Sequence, residues 1–151
     1  MRKLLFGILT LVSAFACAAD QPGRVVTVYY LHNTWRCLSC NSIESLTRAA
    51  VLGGKGENTK VKATVEVQSP FAELVKAGGL TFQAINVDPP ENQHYLADFK
   101  ARAKFPVIVE TVDGKVVRTK LLDEVWDRLG DSAGLVKYVQ DEVQAFLKAA
   151  E

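Results

Sequence analysis

The chain changes from a strand-like pattern to a helix-like one within the stretch Arg24–Leu46, which has the sequence RVVTVYYLHNTWRCLSCNSIESL. Its first eight residues are rich in β-branched and aromatic side chains and nearly continuous in apolar character, which predicts a buried strand. Ile43 and Leu46 then recur at helical spacing, so we expect a helix from near Cys37 to about Val51. Two cysteines therefore lie where a strand passes into a helix.

These two cysteines, Cys37 and Cys40, have the spacing C-x-x-C. At a helix N-terminus, unpaired backbone N–H groups and the positive end of the helix dipole stabilise a thiolate and lower the pKa of the thiol there. One helical turn brings the second sulfur close enough to close a disulfide. We therefore expect Cys37 to be exposed and to act as the attacking thiolate. Cys40 lines up with Ile43 and Leu46, and we expect it to be the more buried, resolving thiol.

The residues before the pair favour a reactive site. Arg36 is the only charged side chain between Val25 and Ile43, and a lone cation next to Cys37 favours the thiolate. Trp35 offers a flat apolar wall beside the sulfurs and is the aromatic residue we place at a binding surface.

Two other uses of the cysteine pair stay open. One is a permanent structural disulfide. The other is a metal site, although a closed zinc site needs four ligands and only His32 and His94 are available to supplement the thiols. A Cys-Cys-His site for copper(I) is the remaining form of the metal hypothesis. His32 is either a base for the thiols or, more typically at a strand end, a hydrogen-bonded structural residue.

The first 18 residues have the pattern of a secretory signal peptide. A basic start, Met1–Lys3, precedes an apolar run of twelve residues and several alanines, with predicted cleavage after Ala18. The run is too short for a membrane span. A retained anchor and a lipoprotein cut before Cys17 are the alternatives.

Signal cleavage would leave 16 basic and 17 acidic side chains, with Cys37 and Cys40 as the only thiols. A nearly neutral protein without a basic block gives no indication of a nucleic-acid partner. We expect a single domain over residues 19–151, located in the periplasm or secreted and free of the membrane after cleavage. In that oxidising location a disulfide can persist.

Further along the chain, the patterns predict three more strands: LTFQAINV (80–87), FPVIVETV (105–112) and KVVRT (115–119). They also predict a short helix after Pro70, a helix from Pro89 through Ala103, one or two helical turns capped by Asp123, and an amphipathic C-terminal helix. Within residues 52–69, glycines break the preceding helix and the alternating run VKATVEV (61–67) is either a short exposed strand or a loop.

The predicted order is therefore β-α-β-α-β-β-α. Helical crossovers between the first three strands favour parallel pairing, and the turn Asp113-Gly114 predicts an antiparallel hairpin between the last two. The expected fold is α/β, with a central mixed four-stranded sheet flanked by helices.

This pattern resembles the thioredoxin superfamily from about Val25 to the C-terminus. WRCLSC (35–40) is similar to its W-C-x-x-C motif, INVD (85–88) to the end of its second strand, and KFPVIVETVDGKVV (104–117) to its proline-containing hairpin. The resemblance implies a thioredoxin-like fold in which Pro106 is cis and packs beside the disulfide, while the backbone of Phe105 pairs with an incoming peptide. Without the resemblance, a trans bond is expected, since only about 5–6% of X–Pro bonds are cis.

A closer resemblance is to the small exported family of nitrophenyl compound nitroreductase subunit ArsF. It covers VYYLHNTWRCLSCNSIESLT (28–47), INVDPPENQHYLADF (85–99) and LDEVWDRLGDSAGLVKYV (122–139). Nitro reduction needs an electron carrier such as a flavin, and the chain has no glycine-rich fingerprint for one. We therefore expect no cofactor beyond the Cys37–Cys40 couple, and thiol chemistry that supports a larger reductase system.

The chain also departs from the thioredoxin pattern. Leu38 and Ser39, rather than glycine and proline, lie between the cysteines, and the first strand has no buried acid for the proton of the resolving thiol. Residues 52–69 are longer than a plain helical connection. These differences do not favour fast thioredoxin-like turnover.

The leading expectation is an exported thiol–disulfide oxidoreductase in which Cys37 attacks and Cys40 resolves, with Trp35, Arg36, Phe105 and Pro106 binding the substrate. Its partners would be a protein thiol or disulfide and a redox donor or acceptor protein; the direction of electron flow stays open. The alternative is a non-catalytic binding protein with a fixed disulfide or copper(I) at the cysteines. A weaker third hypothesis makes LDEVWDRLG (122–130) a surface for a partner subunit, although an apolar stripe of this spacing is more typical of a core.

Overall fold

The computed structural model describes residues 23–149, so the predicted signal peptide, residues 1–18, lies outside the described residues. Within the described part of the chain, no helix is both long enough and apolar enough to cross a membrane.

The described range contains six strands, four α-helices and two 3-10 turns. The strands and helices are β1 (Arg24–His32), α1 (Leu38–Leu52), β2 (Gly54–Asn58), β3 (Ala63–Val67), α2 (Ala72–Lys76), β4 (Leu80–Asn86), α3 (His94–Asp98), β5 (Phe105–Val112), β6 (Lys115–Leu121) and α4 (Ser132–Lys148). The 3-10 turns are Pro90–Asn92, before α3, and Asp123–Val125, after β6.

Four strands form the central mixed sheet, in the order β4-β1-β5-β6, which confirms the expected mixed α/β architecture. β4 is parallel to β1, as expected. β5, however, is antiparallel to β1, so the expectation that the first three predicted strands are all parallel is wrong.

The antiparallel pairing of β5 follows from where its connection begins and ends. β4 ends at Asn86, opposite His32, and β5 begins at Phe105, opposite Leu31. Both ends of the connection therefore lie at the same end of the strands, next to the C-terminus of β1. A parallel β5 would require the chain to return along about 23 Å of strand, whereas the five residues of α3 cover only about 7.5 Å.

The helix expected from Pro89 through Ala103 is much shorter in the structure. A 3-10 turn is followed by α3, which ends at Asp98, and Lys100 and Lys104 both have positive φ values, 50° and 71°. The spacing of Leu96, Phe99 and Ala103 predicts that they share the inner face of that helix. This is confirmed although the helix is not, because Phe99 is buried and the other two pack with it against one face of the sheet.

The hairpin between β5 and β6 is confirmed. Asp113 and Gly114 both have positive φ, 51° and 76°, as a two-residue turn of this kind requires. Asp123, in contrast, is not an N-cap: it lies inside the 3-10 turn whose cap is Leu122, which makes no side-chain capping bond.

The segment predicted as a short strand or a loop, residues 52–69, forms a second, two-stranded antiparallel sheet from β2 and β3. The sequence GKGEN of β2 has little β-propensity. Its position depends on Gly56, which is buried against α1: a Cβ there would lie 3.0 Å from Leu46 and 3.2 Å from Ala49. A larger residue would therefore require these side chains or the strand to shift.

Hydrophobic residues pack against both faces of the central sheet. On one face, Val26, Val28 and Tyr30 of β1 pack with α1 and α4, and on the other Leu31 packs with Phe99. The predicted apolar stripe of α4 is confirmed, with Leu135, Val136, Val139, Val143 and Phe146 buried. Leu129 is also buried, so the apolar stripe of residues 122–130 belongs mainly to the core.

Candidate redox site

The two cysteines form a disulfide at the start of α1, just beyond the end of β1. Cys37 is the N-cap of the helix, with extended backbone (φ −91°, ψ 164°), and its Sγ accepts a hydrogen bond of 3.1 Å from the backbone N–H of Cys40. Their Cα atoms are 5.0 Å apart. The predicted helix start is confirmed. The backbone N–H of Cys40, which the Cys37 sulfur caps, is placed to stabilise negative charge on that sulfur.

The two sulfurs differ in accessibility, as expected. Cys40 is only 1% exposed, while Cys37 retains part of its surface and is less exposed than predicted. Cys40 points inward because it shares the inner stripe of α1 with Ile43 and Leu46, both fully buried. An incoming sulfur can therefore reach Cys37 more easily than Cys40.

The loop between β1 and α1 is held by Asp88. Its carboxylate accepts hydrogen bonds from Asn33 Nδ2 (2.6 Å) and from the backbone N–H of Thr34 (2.7 Å). The bond from Asn33, followed by those from Thr34, lowers the pKa of Asp88 below its ordinary value. Asn86 Nδ2 also donates to Thr34 Oγ1, at 2.9 Å. The ends of β1 and β4 are thus joined directly below the loop that carries Trp35.

Arg36 does not act as the expected lone cation. Its guanidinium forms an ion pair with Glu44 on the second turn of α1, and both side chains are about three-quarters buried. The pattern of α1 predicts Glu44 on a solvated helix face, and this is wrong because its side chain is mostly buried in the ion pair. Because the carboxylate compensates the positive charge, thiolate stabilisation at Cys37 depends chiefly on the N-terminal N–H groups of α1, whose first turn carries no acidic residue.

Tyr30 lies beneath this ion pair. Its side chain is fully buried in the core, and the guanidinium carbon of Arg36 lies 5.7 Å from the centroid of its ring. The hydroxyl has no hydrogen-bond partner among the described residues. Burial is the main reason that the pKa of Tyr30 is raised, so the phenol stays neutral across the physiological range.

Trp35 lies on the surface next to the disulfide, where the sequence placed it. It is 72% exposed, the highest value among the exposed large hydrophobic residues in the described range. Lys104 Nζ lies 5.8 Å from the centroid of its indole ring, within the range of a cation–π contact.

Phe105 and Pro106 open β5, opposite Leu31 and Tyr30 respectively. The peptide bond before Pro106 is trans, since residues 23–149 contain no cis peptide bond, so the cis proline implied by the thioredoxin resemblance is wrong. The Phe105 ring is half-buried. Trp126 lies 6.0 Å from it, measured between ring centroids, and the guanidinium carbon of Arg102 lies 4.4 Å from its centroid.

A contact that the sequence did not predict joins the β2–β3 hairpin to the redox helix. Thr59 Oγ1 and Ser42 Oγ both donate to the backbone carbonyl of Leu38, each at 2.9 Å. The backbone N–H of Lys60 donates to Ser42 Oγ at 3.2 Å. The hairpin turn therefore lies directly beside the first turn of α1, and Leu38, next to Cys37, is 63% exposed there.

The histidines make local contacts. His32 Nδ1 lies 3.0 Å from the backbone carbonyl of Asn33, so this nitrogen is the protonated one and donates. His94 Nδ1 lies 2.7 Å from a carboxylate oxygen of Asp98 on the same helix. Within residues 23–149, no group of three or more His, Cys, Asp or Glu side chains is arranged to hold a metal ion.

Sequence reasoning thus predicted the position of the cysteine pair, the burial of Cys40 and the exposure of Trp35, but missed three neighbours. Arg102 and Lys104 carry a signal that could have been used: they alternate in KARAK (100–104), immediately before Phe105. Thr59 carries none, because the hairpin places it beside Leu38 from 21 residues away. Chemically, the arrangement offers one accessible sulfur at a helix N-terminus and one buried sulfur that can displace a partner from it.

Searches of protein-family models, of curated proteins and of solved structures found no match to this chain.

Proposed function

We propose that this protein is a thiol–disulfide oxidoreductase with a thioredoxin-like fold, in which Cys37 is the attacking thiol and Cys40 the resolving thiol. The observation that carries the proposal is the placement of Cys37 as the N-cap of α1, with its sulfur accepting the N–H of Cys40. The fold supports it as well. The disulfide follows β1, an inner strand of the sheet, and β5 begins opposite the end of β1.

The chemistry balances as two exchanges. The Cys37 thiolate attacks one sulfur of a partner disulfide; that S–S bond breaks, a mixed disulfide forms, and the partner's other sulfur leaves as a thiolate. The Cys40 thiol then loses its proton and displaces the remaining partner sulfur, which closes the Cys37–Cys40 disulfide. Two electrons pass to the partner, which leaves as a dithiol. The reverse sequence oxidises a partner dithiol.

Two features indicate slower exchange than in thioredoxin. The sequence of β1, RVVTVYYLH, contains no acidic residue, and its last buried residues are Tyr30 and Leu31, so no carboxylate on this strand takes the proton of Cys40. Arg36 is compensated by Glu44, so it contributes less to thiolate stability than an unpaired cation. Both features affect rate rather than the order of the two steps.

The proposal is tested by alkylation and by trapping. In the reduced protein, iodoacetamide should modify Cys37 well before Cys40, and the rate should reach half its maximum below about pH 8.5, the pKa of a free cysteine. The variant Cys40→Ser should accumulate mixed disulfides with partner proteins, and the matched control Cys37→Ser should not. Equal trapping by both variants, or a Cys37 that resists alkylation in the folded protein, contradicts the proposal.

The second candidate is a non-catalytic binding protein with a fixed disulfide. The pairing of Arg36 with Glu44 favours it, because it removes the predicted activating charge. The reduction potential separates the two: a structural disulfide lies below about −300 mV, whereas exchanging couples lie between about −270 and −120 mV. The copper(I) form of this candidate is tested by titrating the reduced protein against a competing chelator, with His32→Ala and His94→Ala as variants.

An exported location and a role as redox accessory subunit of a larger reductase system are part of the proposal. Both rest on the sequence, the first on the signal pattern of residues 1–18 and the second on the resemblance to the ArsF family. Fractionation of cells that express the full chain tests the first. The partners trapped on Cys37 identify the second.

A further inference from the structure

Two short basic segments contact the stretch that carries the disulfide. The hairpin turn, residues 59–62, is bonded to the first turn of α1 through Thr59 and Leu38. The connection before β5, residues 100–104, is attached at its other end: the backbone N–H of Lys104 donates to Leu31 at 2.6 Å, and its Nζ lies over the ring of Trp35. Both segments therefore adjoin the stretch that carries Cys37. We call the surface formed by residues 35–38, 59–62 and 100–104 the disulfide face.

Positive charge is concentrated on the disulfide face. The two segments contain nine residues, which include five of the chain's 18 basic residues and none of its 17 acidic ones. The five are Lys60, Lys62, Lys100, Arg102 and Lys104. Within residues 23–149, none of them has a carboxylate oxygen within 4.0 Å, whereas ion pairs engage seven other lysines and arginines: Arg24, Arg36, Lys55, Arg118, Lys120, Arg128 and Lys137.

Exposed apolar side chains lie among these cations. Trp35 and Leu38 are the two most exposed large hydrophobic residues of the described range, and Val61, at the hairpin turn, is 44% exposed. A surface that combines an aromatic residue, aliphatic residues and cations resembles the composition of protein-binding surfaces more than that of a solvated face.

Carboxylates on this side do not cancel the charge. Glu44 is paired with Arg36 and neutral as a unit. Asp88 is negative, held by the loop that carries Trp35. Asp127 follows Trp126, whose indole N–H donates to the carbonyl of Lys104, and we count it against the face as well. Glu57, which lines one surface depression together with Lys62, counts against the face too. Five cations against these three carboxylates leave the two segments and the residues next to them positive.

We infer that the disulfide face selects an acidic segment of a polypeptide as its partner. The inference rests on the proposed function, because exchange requires the partner's sulfur to reach Cys37. The whole chain has a formal net charge of only +1, so the preference would come from the local arrangement rather than from overall attraction. Complementary charge near a reactive group chiefly accelerates encounter and orients the partner.

The test uses the reduced full chain and two synthetic peptides that each contain one internal disulfide, flanked by glutamates in one peptide and by lysines in the other. Cys37 attacks the peptide disulfide and Cys40 completes the exchange, so the peptide leaves as a dithiol and the protein as a disulfide. At low ionic strength the acidic peptide should react at least about tenfold faster than the basic one, and the ratio should approach one at about 1 M salt, where charges are screened within about 3 Å.

Paired variants locate the effect. Lys60→Gln/Lys62→Gln and Arg102→Gln/Lys104→Gln should each reduce the ratio of the two rates severalfold. The matched control, Lys55→Gln/Lys76→Gln, removes the same charge away from the disulfide and should leave the ratio unchanged. Equal rates for the two peptides, or an equal loss in the control, would overturn the inference.

Two further measurements separate the remaining outcomes. Hydroxyethyl disulfide, a small neutral probe, should react with the reduced protein; if neither it nor the peptides react, the proposed function fails. The docking preference is then still tested by tryptophan fluorescence with the same peptides carrying serine in place of cysteine, and tighter binding of the acidic one supports it. Binding to anionic phosphatidylglycerol vesicles through the same cations, without a peptide preference, would assign the face to a membrane and overturn the inference.

Discussion

The ion pair between Arg36 and Glu44 predicts that removing a carboxylate will make the redox site more reactive. In the folded protein, Glu44 places a negative charge on the same helix as Cys37. A negative charge near a thiol favours its neutral form. The substitution Glu44→Gln removes that charge, retains the length of the side chain and leaves Arg36 as the uncompensated cation that the sequence alone suggested.

The size of the effect follows from helix geometry and Coulomb's law. Glu44 lies seven residues beyond Cys37, close to two turns and about 10 Å along the helix axis. Two unit charges at that distance interact by about 0.4 kcal/mol in water and by about 1.7 kcal/mol at an effective dielectric constant of 20. The ratio of thiolate to thiol at Cys37 should therefore rise between about 2-fold and about 17-fold.

The measurement is the rate of iodoacetamide alkylation of Cys37 in the reduced protein at pH 6, where the rate is proportional to the thiolate fraction. The matched control is Glu73→Gln on α2, which also removes one carboxylate but lies on a different helix. Glu44→Gln should react faster and the control should not. If Glu44→Gln reacts at the wild-type rate or more slowly, then Glu44 acts mainly by holding Arg36 in place, and the electrostatic reasoning is wrong.

Three further predictions concern stability. Gly56→Ala places a Cβ 3.0 Å from Leu46 and should destabilise the protein by about 1–3 kcal/mol in urea unfolding. Gly130→Ala should not, since no atom of the described residues lies within 4 Å of the added Cβ. Folding lowers the pKa of Asp88, so its carboxylate stabilises the folded protein at pH values above its ordinary pKa of 3.8, and this stabilisation is lost as the pH falls below that value. The difference in Tm between wild type and Asp88→Ala should therefore shrink in acid. A difference that stays constant with pH would contradict this. Tyr30→Phe removes a buried hydroxyl that has no hydrogen-bond partner among residues 23–149, so the free energy of unfolding should stay the same or rise by about 1 kcal/mol.

Much of the fold was predictable because its signals are local. The start of α1 at Cys37 follows from a strand-to-helix change of period, and the turn at Asp113-Gly114 follows from the backbone conformations that these two residues tolerate. The burial of Cys40 follows from its place on the same stripe as Ile43. Each of these features depends on residues within a few positions of one another.

The sequence failed where a distant contact outweighs local preference. GKGEN is a poor strand sequence, yet β2 forms because Gly56 fits against α1. The helical pattern through Ala103 is interrupted at Lys100, which takes a positive φ. Beyond that point, the chain enters β5 at the same end of the sheet's strands at which β4 ended.

By itself, the sequence determined the elements of the central sheet, the position of the C-x-x-C pair and which of its sulfurs is buried, because periodicity and spacing act through a few neighbouring residues. Only the tertiary structure decided that β5 runs antiparallel to β1, that Glu44 compensates Arg36, and that the turn carrying Lys60 and the segment carrying Lys104 each lie next to the stretch that carries Cys37. These outcomes depend on the register of strands and on packing between segments far apart in the chain, and the free energy of such contacts is not encoded in any local pattern.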